Sequence, residues 1–124
     1  GIAQAEVVIN MDKIMQIESG GNALAYNKSS QARGLYQITP IALRDFNQVN
    51  NTHYKPQELF DPQINSRIAF WMMEERIPAL LRHYRLSDTV SNRLLAYNAG
   101  IKAVIGQRMP SETASYIKKY NKGE

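Results

Sequence analysis

Asp61-Pro62-Gln63-Ile64-Asn65-Ser66-Arg67-Ile68-Ala69-Phe70-Trp71-Met72-Met73-Glu74-Glu75-Arg76-Ile77-Pro78 is the longest apolar pattern in the chain, and its period is helical. Ile64, Ile68, Trp71 and Met72 make one stripe, and Phe70, Met73 and Ile77 make a second. A helix that is apolar around so much of its girth belongs at the centre of a fold. Asp61 and Pro62 supply its cap and its first-turn proline. Pro78 predicts a kink or break, because it lacks an amide donor and clashes with the preceding turn. Beyond it Leu80, Leu81 and Tyr84 continue the core.

The flanking sequence repeats this grammar. Thr39-Pro40 is another cap-plus-proline start, for a helix over about residues 40 to 50 that Asn50-Asn51 ends. Upstream, the spacing of apolar residues predicts a first helix over roughly residues 5 to 19, followed by a polar stretch, 20 to 33, rich in Gly, Asn and Ser that reads as a loop. Downstream, Ser87 and Asp88 are candidate caps for a helix ending near Asn98, with Gly100 placed to terminate it. Short helices over about 101 to 107 and 111 to 121 finish the chain. No run alternates as a strand should, and the β-branched residues fall at helical spacing. The expectation is an all-α fold, a single domain over residues 1 to 124 built of irregularly packed helices.

Composition narrows the chemistry. The chain has 124 residues and no Cys, which excludes disulfides, thiol nucleophiles and thiolate metal sites. His53 and His83 are the only imidazoles and lack metal-binding spacing, so no metal site is expected. The net charge of +4 is spread over scattered Lys and Arg, which suits an acidic polymer without pointing to one. Nucleic acid is not expected as a partner, since there is no basic run, RNA-binding aromatic motif or zinc-finger spacing. No apolar stretch approaches the roughly 20 residues of a membrane span. The amino terminus lacks the basic start and apolar middle of an export signal, so the chain reads as a mature or trimmed domain. That absence assigns no compartment.

One carboxylate stands out. Glu18 closes the apolar run Val7-Val8-Ile9-Asn10-Met11-Asp12-Lys13-Ile14-Met15-Gln16-Ile17, and Ser19-Gly20-Gly21 follows to stop the helix. On that helix Glu18 shares a face with Met11, Ile14 and Met15. Partial desolvation and the negative end of the helix dipole would both favour its protonated form. A surface Glu at a fraying helix end would show the same pattern.

Two further segments hold residues suited to a site, although ordinary structure accounts for each of them by itself. In Gly34-Leu35-Tyr36-Gln37-Ile38, Gly34 permits an unusual backbone angle or a close approach, Leu35 and Ile38 anchor the loop, and Tyr36 and Gln37 are free to face a cleft. Ala96-Tyr97-Asn98-Ala99-Gly100 brings a phenol and a carboxamide to a helix end flanked by small residues.

Taken in order, Glu18-Ser19, Gly34-Leu35-Tyr36-Gln37-Ile38, Ala96-Tyr97-Asn98-Ala99-Gly100, and Glu112-Thr113 with Tyr116-Ile117 resemble the soluble lytic transglycosylase catalytic domain. The resemblance spans about residues 12 to 120. It implies a lysozyme-like helical fold that cleaves peptidoglycan strands with neither metal nor organic cofactor. Glu18 matches the family's catalytic acid, and Ser19 the residue that helps hold that acid or the substrate's acetamido group. Gln37 matches the glutamine lining the glycan cleft, and Tyr97 and Asn98 match the tyrosine and asparagine that flank the catalytic carboxyl. Glu112 and Tyr116 match the last motif, with Tyr116 the stronger contact to the active centre. The chain departs from the family pattern at Tyr36 and Thr39, where methionines are common, at Ala23 for proline, at Gln31-Ala32 for a glycine-containing step, and at Ala114 for arginine. Subsite shape is therefore expected to differ, with Tyr36 a substrate-facing position.

Glycosidases commonly use two carboxyls, yet no second acidic residue here stands in a matching motif near Glu18. A lone acid is what the resemblance implies. Glu18 would protonate the bond between N-acetylmuramic acid and N-acetylglucosamine, then take a proton from the muramic 6-hydroxyl as a 1,6-anhydro ring closes. A hydrolytic muramidase, a non-catalytic glycan-binding module and a helical interaction protein are the alternatives. The Ser19-Gly20-Gly21 continuation resembles small specialised members that serve secretion, conjugation or phage assemblies. The chain is expected to work as a monomer in the periplasm or cell envelope.

Overall fold

The computed structural model describes residues 6–122. The architecture is all-α and lysozyme-like: among the described residues there is no strand, only isolated bridges between Tyr26 and Arg33 and between Arg33 and Ile38. The chain gathers into two compact units, Met11–Glu75 and a second that joins the amino-terminal segment to Arg76–Glu124.

The Met11–Glu75 unit contains α1 (Met11–Ser19), α2 (Pro40–Asn50), a 3-10 turn (Pro56–Phe60) and α3 (Pro62–Trp71). Two starts follow the caps read from sequence. Thr39 Oγ1 accepts from the Ala42 amide at 3.3 Å, and Asp61 Oδ1 accepts from the amides of Gln63 at 2.8 Å and Ile64 at 3.3 Å. Asn51 ends α2 in the left-handed region, with φ 53°. Ile14, Ile38, Leu43, Phe46, Leu59, Ile68, Trp71 and Met73 are buried, and Phe46 meets Trp71 edge to face with centroids 5.1 Å apart.

The central helix departs from expectation in two ways. Pro78 neither ends nor simply kinks it: a π-helical turn, Met72–Arg76, comes first, and Pro78 then occupies the first turn of α4 (Ile77–His83). The wide turn displaces the ladder of hydrogen bonds just where a proline amide would have been missed. It also rotates the residues after Trp71 relative to those before. Met73 and Ile77 are therefore buried while Phe70, expected in the same stripe, is 45% exposed.

The second unit, described over residues 6–10 and 76–122, holds α4, α5 (Val90–Ala99), α6 (Ile101–Ile105) and α7 (Ser111–Asn121). α5 packs against α4, α6 and α7, with Leu81, Leu94, Leu95, Ala103, Val104, Tyr116 and Tyr120 buried. The first helix starts later than predicted. Residue 5 of the expected span lies outside the described residues, and 6–10 are not helical. The Asn10 amide donates to the Tyr120 phenol oxygen at 2.9 Å, and Val7-Val8-Ile9 is a β-branched run of low helix propensity. The cap of α5 also differs from expectation. Thr89 Oγ1 accepts from the Asn92 amide at 3.0 Å, because Asp88 is engaged by Arg93 through a two-pronged pair at 2.7 and 2.9 Å. The Ser87 carbonyl accepts from the Asn92 side chain instead. Gly100, at φ 93°, separates α5 from α6, which stops at Ile105, two residues short of the predicted end.

Candidate functional site

Glu18 lies half-buried in the last turn of α1, on the face that buries Met11 and Ile14. The helix stops where the two glycines take positive φ, 63° at Gly20 and 82° at Gly21. Ser19 does more than end the helix. Its hydroxyl donates to the Leu35 carbonyl at 2.7 Å and accepts from the Gly21 amide at 3.2 Å. The end of α1 that carries Glu18 is thereby tied to the loop of residues 34–38.

That loop is fixed from beneath by a residue that sequence reasoning passed over. Asn65 of α3 is fully buried, at 0% exposure. Its Oδ1 accepts from the Tyr36 amide at 2.9 Å, and its Nδ2 donates to the carbonyls of Arg33 at 2.8 Å and Leu59 at 2.9 Å. A buried carboxamide so fully used satisfies three backbone groups that would otherwise be stranded. Gly34 makes room for it: φ is 82°, and a Cβ there would stand 2.3 Å from both Asn65 Nδ2 and the Leu59 oxygen. The sequence signal was available, since Asn65 sits at helical spacing inside the Ile64, Ile68 stripe, where a polar residue needs partners.

Gln37 adopts φ 54°, a left-handed conformation uncommon outside glycine. Its Nε2 donates to the carbonyls of Gly34 at 3.0 Å and Ala25 at 3.3 Å, stitching the loop to the preceding stretch. Tyr36, expected to face a cleft, is 4% exposed. Its ring lies edge-on to Phe70 with centroids 6.2 Å apart. Burial, and then the negative charge of Asp12, push the Tyr36 phenol above its ordinary pKa of 10.0.

The other residues singled out from the sequence belong to the second unit. Tyr97 and Asn98 are half-buried in the last turn of α5. Asn98 Oδ1 accepts from the Thr113 hydroxyl at 2.6 Å, and Thr113 is 1% exposed, so the end of α5 is joined to the first turn of α7. Tyr116 is buried one turn further along α7 and Glu112 is exposed at its start. Within each unit, then, two motifs are bonded together: Glu18-Ser19 with residues 34–38, and Tyr97-Asn98 with Glu112-Thr113. Asn65 is the addition, and Thr113, quoted in the last motif without a role, gains one as the partner of Asn98.

No group of three or more His, Asp or Glu among the described residues is placed to hold a metal ion.

A family model, the transglycosylase SLT domain, matches residues 9–121. Comparison with curated proteins and with solved structures found no match. The matched span includes every motif described above, from Glu18-Ser19 to Tyr116-Ile117. With that span and this helical architecture, the chain belongs to the transglycosylase SLT domain family, which is generally one of lytic transglycosylases acting on peptidoglycan outside the cytoplasm.

Proposed function

We propose that this protein cleaves the β-1,4 bond between N-acetylmuramic acid and N-acetylglucosamine in peptidoglycan and leaves 1,6-anhydromuramic ends, with Glu18 as acid and then base. The observation that carries this reading is the position of Glu18: half-buried on the core-side face of α1, at a helix end that Ser19 bonds to the 34–38 loop. A half-buried carboxyl at a helix end is placed to give a proton to the leaving oxygen and to take one back. As that proton moves, the C1–O bond breaks and the muramic acetamido oxygen supports the developing positive charge at C1. The 6-hydroxyl oxygen then bonds to C1 and its proton passes to the Glu18 carboxylate, restoring the acid. No water enters the products.

Family membership supports Ser19, Gln37, Tyr97, Asn98 and Tyr116 as residues that orient the strand, with Tyr36 shaping a subsite from its buried position. It also supports a site of action in the periplasm or cell envelope; no helix among the described residues is long and apolar enough to cross a membrane. Work within a secretion, conjugation or phage assembly belongs to the same reading and rests on the Ser19-Gly20-Gly21 continuation. Digestion of purified peptidoglycan followed by mass spectrometry tests the reaction. Anhydromuramic ends are expected. Reducing ends heavier by one water would assign a muramidase, and no release of fragments would leave a glycan-binding module.

A further inference from the structure

The loop between α1 and α2 contains a cation with no acidic partner among the described residues. Arg33 and Tyr26 lie opposite each other in an isolated antiparallel bridge. The Arg33 Cζ stands 4.8 Å from the Tyr26 ring centroid, within cation–π range. Arg33 Nη1 donates to the Gln31 carbonyl at 3.1 Å. Among the described residues no carboxylate forms an ion pair with Arg33. Arg33 is half-buried and Tyr26 is 48% exposed.

The pair is also held in place before anything binds. Asn27 Oδ1 accepts from the amides of Ser29 at 2.9 Å and Ser30 at 3.2 Å. The Gln31 amide donates to the Asn27 carbonyl at 2.7 Å, and the Asn27 amide to the Ala32 carbonyl at 3.0 Å. Arg33 and Ile38 exchange backbone bonds at 3.1 Å, and Ala25 O accepts from the Gly34 amide at 2.9 Å. The bonds that shape the 34–38 loop therefore also fix the backbone on either side of the Tyr26–Arg33 pair. A guanidinium stacked on a ring keeps its edge donors available for a planar anion, and a fixed one loses less freedom when it binds.

We propose that Arg33, backed by Tyr26, binds a carboxylate carried by the glycan strand, with the guanidinium edge donating to both oxygens and the exposed part of the ring packing on the adjoining apolar surface. The proposal rests on the reading of this chain as a peptidoglycan-cleaving protein and names which strands it prefers. Two groups on such strands offer the chemistry: the free carboxylates of the peptide side branches, and the lactyl carboxylate that appears on muramic acid once those branches are removed.

Binding measured on the Glu18→Gln protein tests this without turnover. Three soluble probes of equal length are compared by calorimetry: peptide-bearing strands, the same strands stripped by an amidase, and chito-oligosaccharides, which carry no carboxylate. At least one charged probe is expected to bind roughly tenfold more tightly than the chito-oligosaccharide, the scale of one charge-assisted hydrogen-bonded contact. Whichever charged probe shows the gain identifies the source of the carboxylate. Adding Arg33→Gln should bring that probe down to the uncharged one, Arg33→Lys should keep part of the gain, and salt should shrink it. Equal binding of all three probes, or a preference that survives Arg33→Gln, would overturn the proposal. The reaction itself is read separately from wild-type products: hydrated ends alongside an Arg33-dependent preference would change the chemistry and leave this subsite standing, whereas binding of no probe would remove both.

Discussion

At the residue scale, Gly34 and Asn65 depend on each other. A methyl group at Gly34 would collide with Asn65 Nδ2 and the Leu59 carbonyl, in a backbone conformation that side chains disfavour. Gly34→Ala is therefore expected to destabilise the protein by about 2–4 kcal/mol in urea unfolding. Asn65→Leu keeps the branching of the side chain but is larger and strands the Tyr36 amide and the carbonyls of Arg33 and Leu59, and should cost a similar amount, about 2–4 kcal/mol. A loss below about half a kcal/mol in both variants, the scale of a surface substitution, would contradict this description of the loop. Tyr36 gives a pH signature. Its folded pKa is raised, so the stability it contributes is complete below the ordinary phenol value of 10.0 and is lost as pH rises through the folded value. Unfolding followed against pH should show an alkaline decline that Tyr36→Phe flattens.

At the element scale, the caps of α2 and α3 were legible because each pairs a side-chain acceptor with a first-turn proline: Thr39-Pro40 and Asp61-Pro62. The start of α1 was not. Its apolar spacing runs smoothly through Val7 to Ile9, and the partner that takes the Asn10 amide, Tyr120, is distant in sequence. The cap of α5 failed for a related reason. Three neighbouring residues, Ser87, Asp88 and Thr89, all cap well in isolation, and the Arg93 side chain decides among them by taking Asp88. Thr89→Ala should cost about 1 kcal/mol, more than Ser87→Ala. The Arg93 hydrogen bond, with help from the positive charges of Arg93 and Arg82, holds Asp88 below the usual carboxylate range against the opposing effect of burial. Its contribution is present above the unfolded carboxylate pKa and disappears as pH falls through the folded one. Asp88→Asn should flatten the acid limb of a stability profile while leaving the neutral region lower than wild type.

At the scale of the whole molecule, the all-α class followed from helical periods along the entire chain, and the family from four motifs in one order, now matched over residues 9–121. What the sequence left unread were the roles of two buried polar residues: Asn65, which satisfies backbone groups of the 34–38 loop, and Thr113, whose hydroxyl donates to the Asn98 side chain. A polar residue at core spacing, as at Asn65, signals that partners are needed but not which distant groups supply them. The net charge of +4 belongs to this scale as well. It favours approach to an anionic wall, and sedimentation with intact cell walls should weaken as salt is raised.

The central claim is that Glu18 alone carries the proton through both halves of the reaction. The direct measurement is mass analysis of fragments released from purified peptidoglycan by the wild type and by Glu18→Gln at matched fold stability. Wild-type fragments should end in 1,6-anhydromuramic acid, and Glu18→Gln should release them at least about a hundredfold more slowly, as expected for loss of a general acid and base. Anhydro ends released by Glu18→Gln at the wild-type rate would contradict the claim.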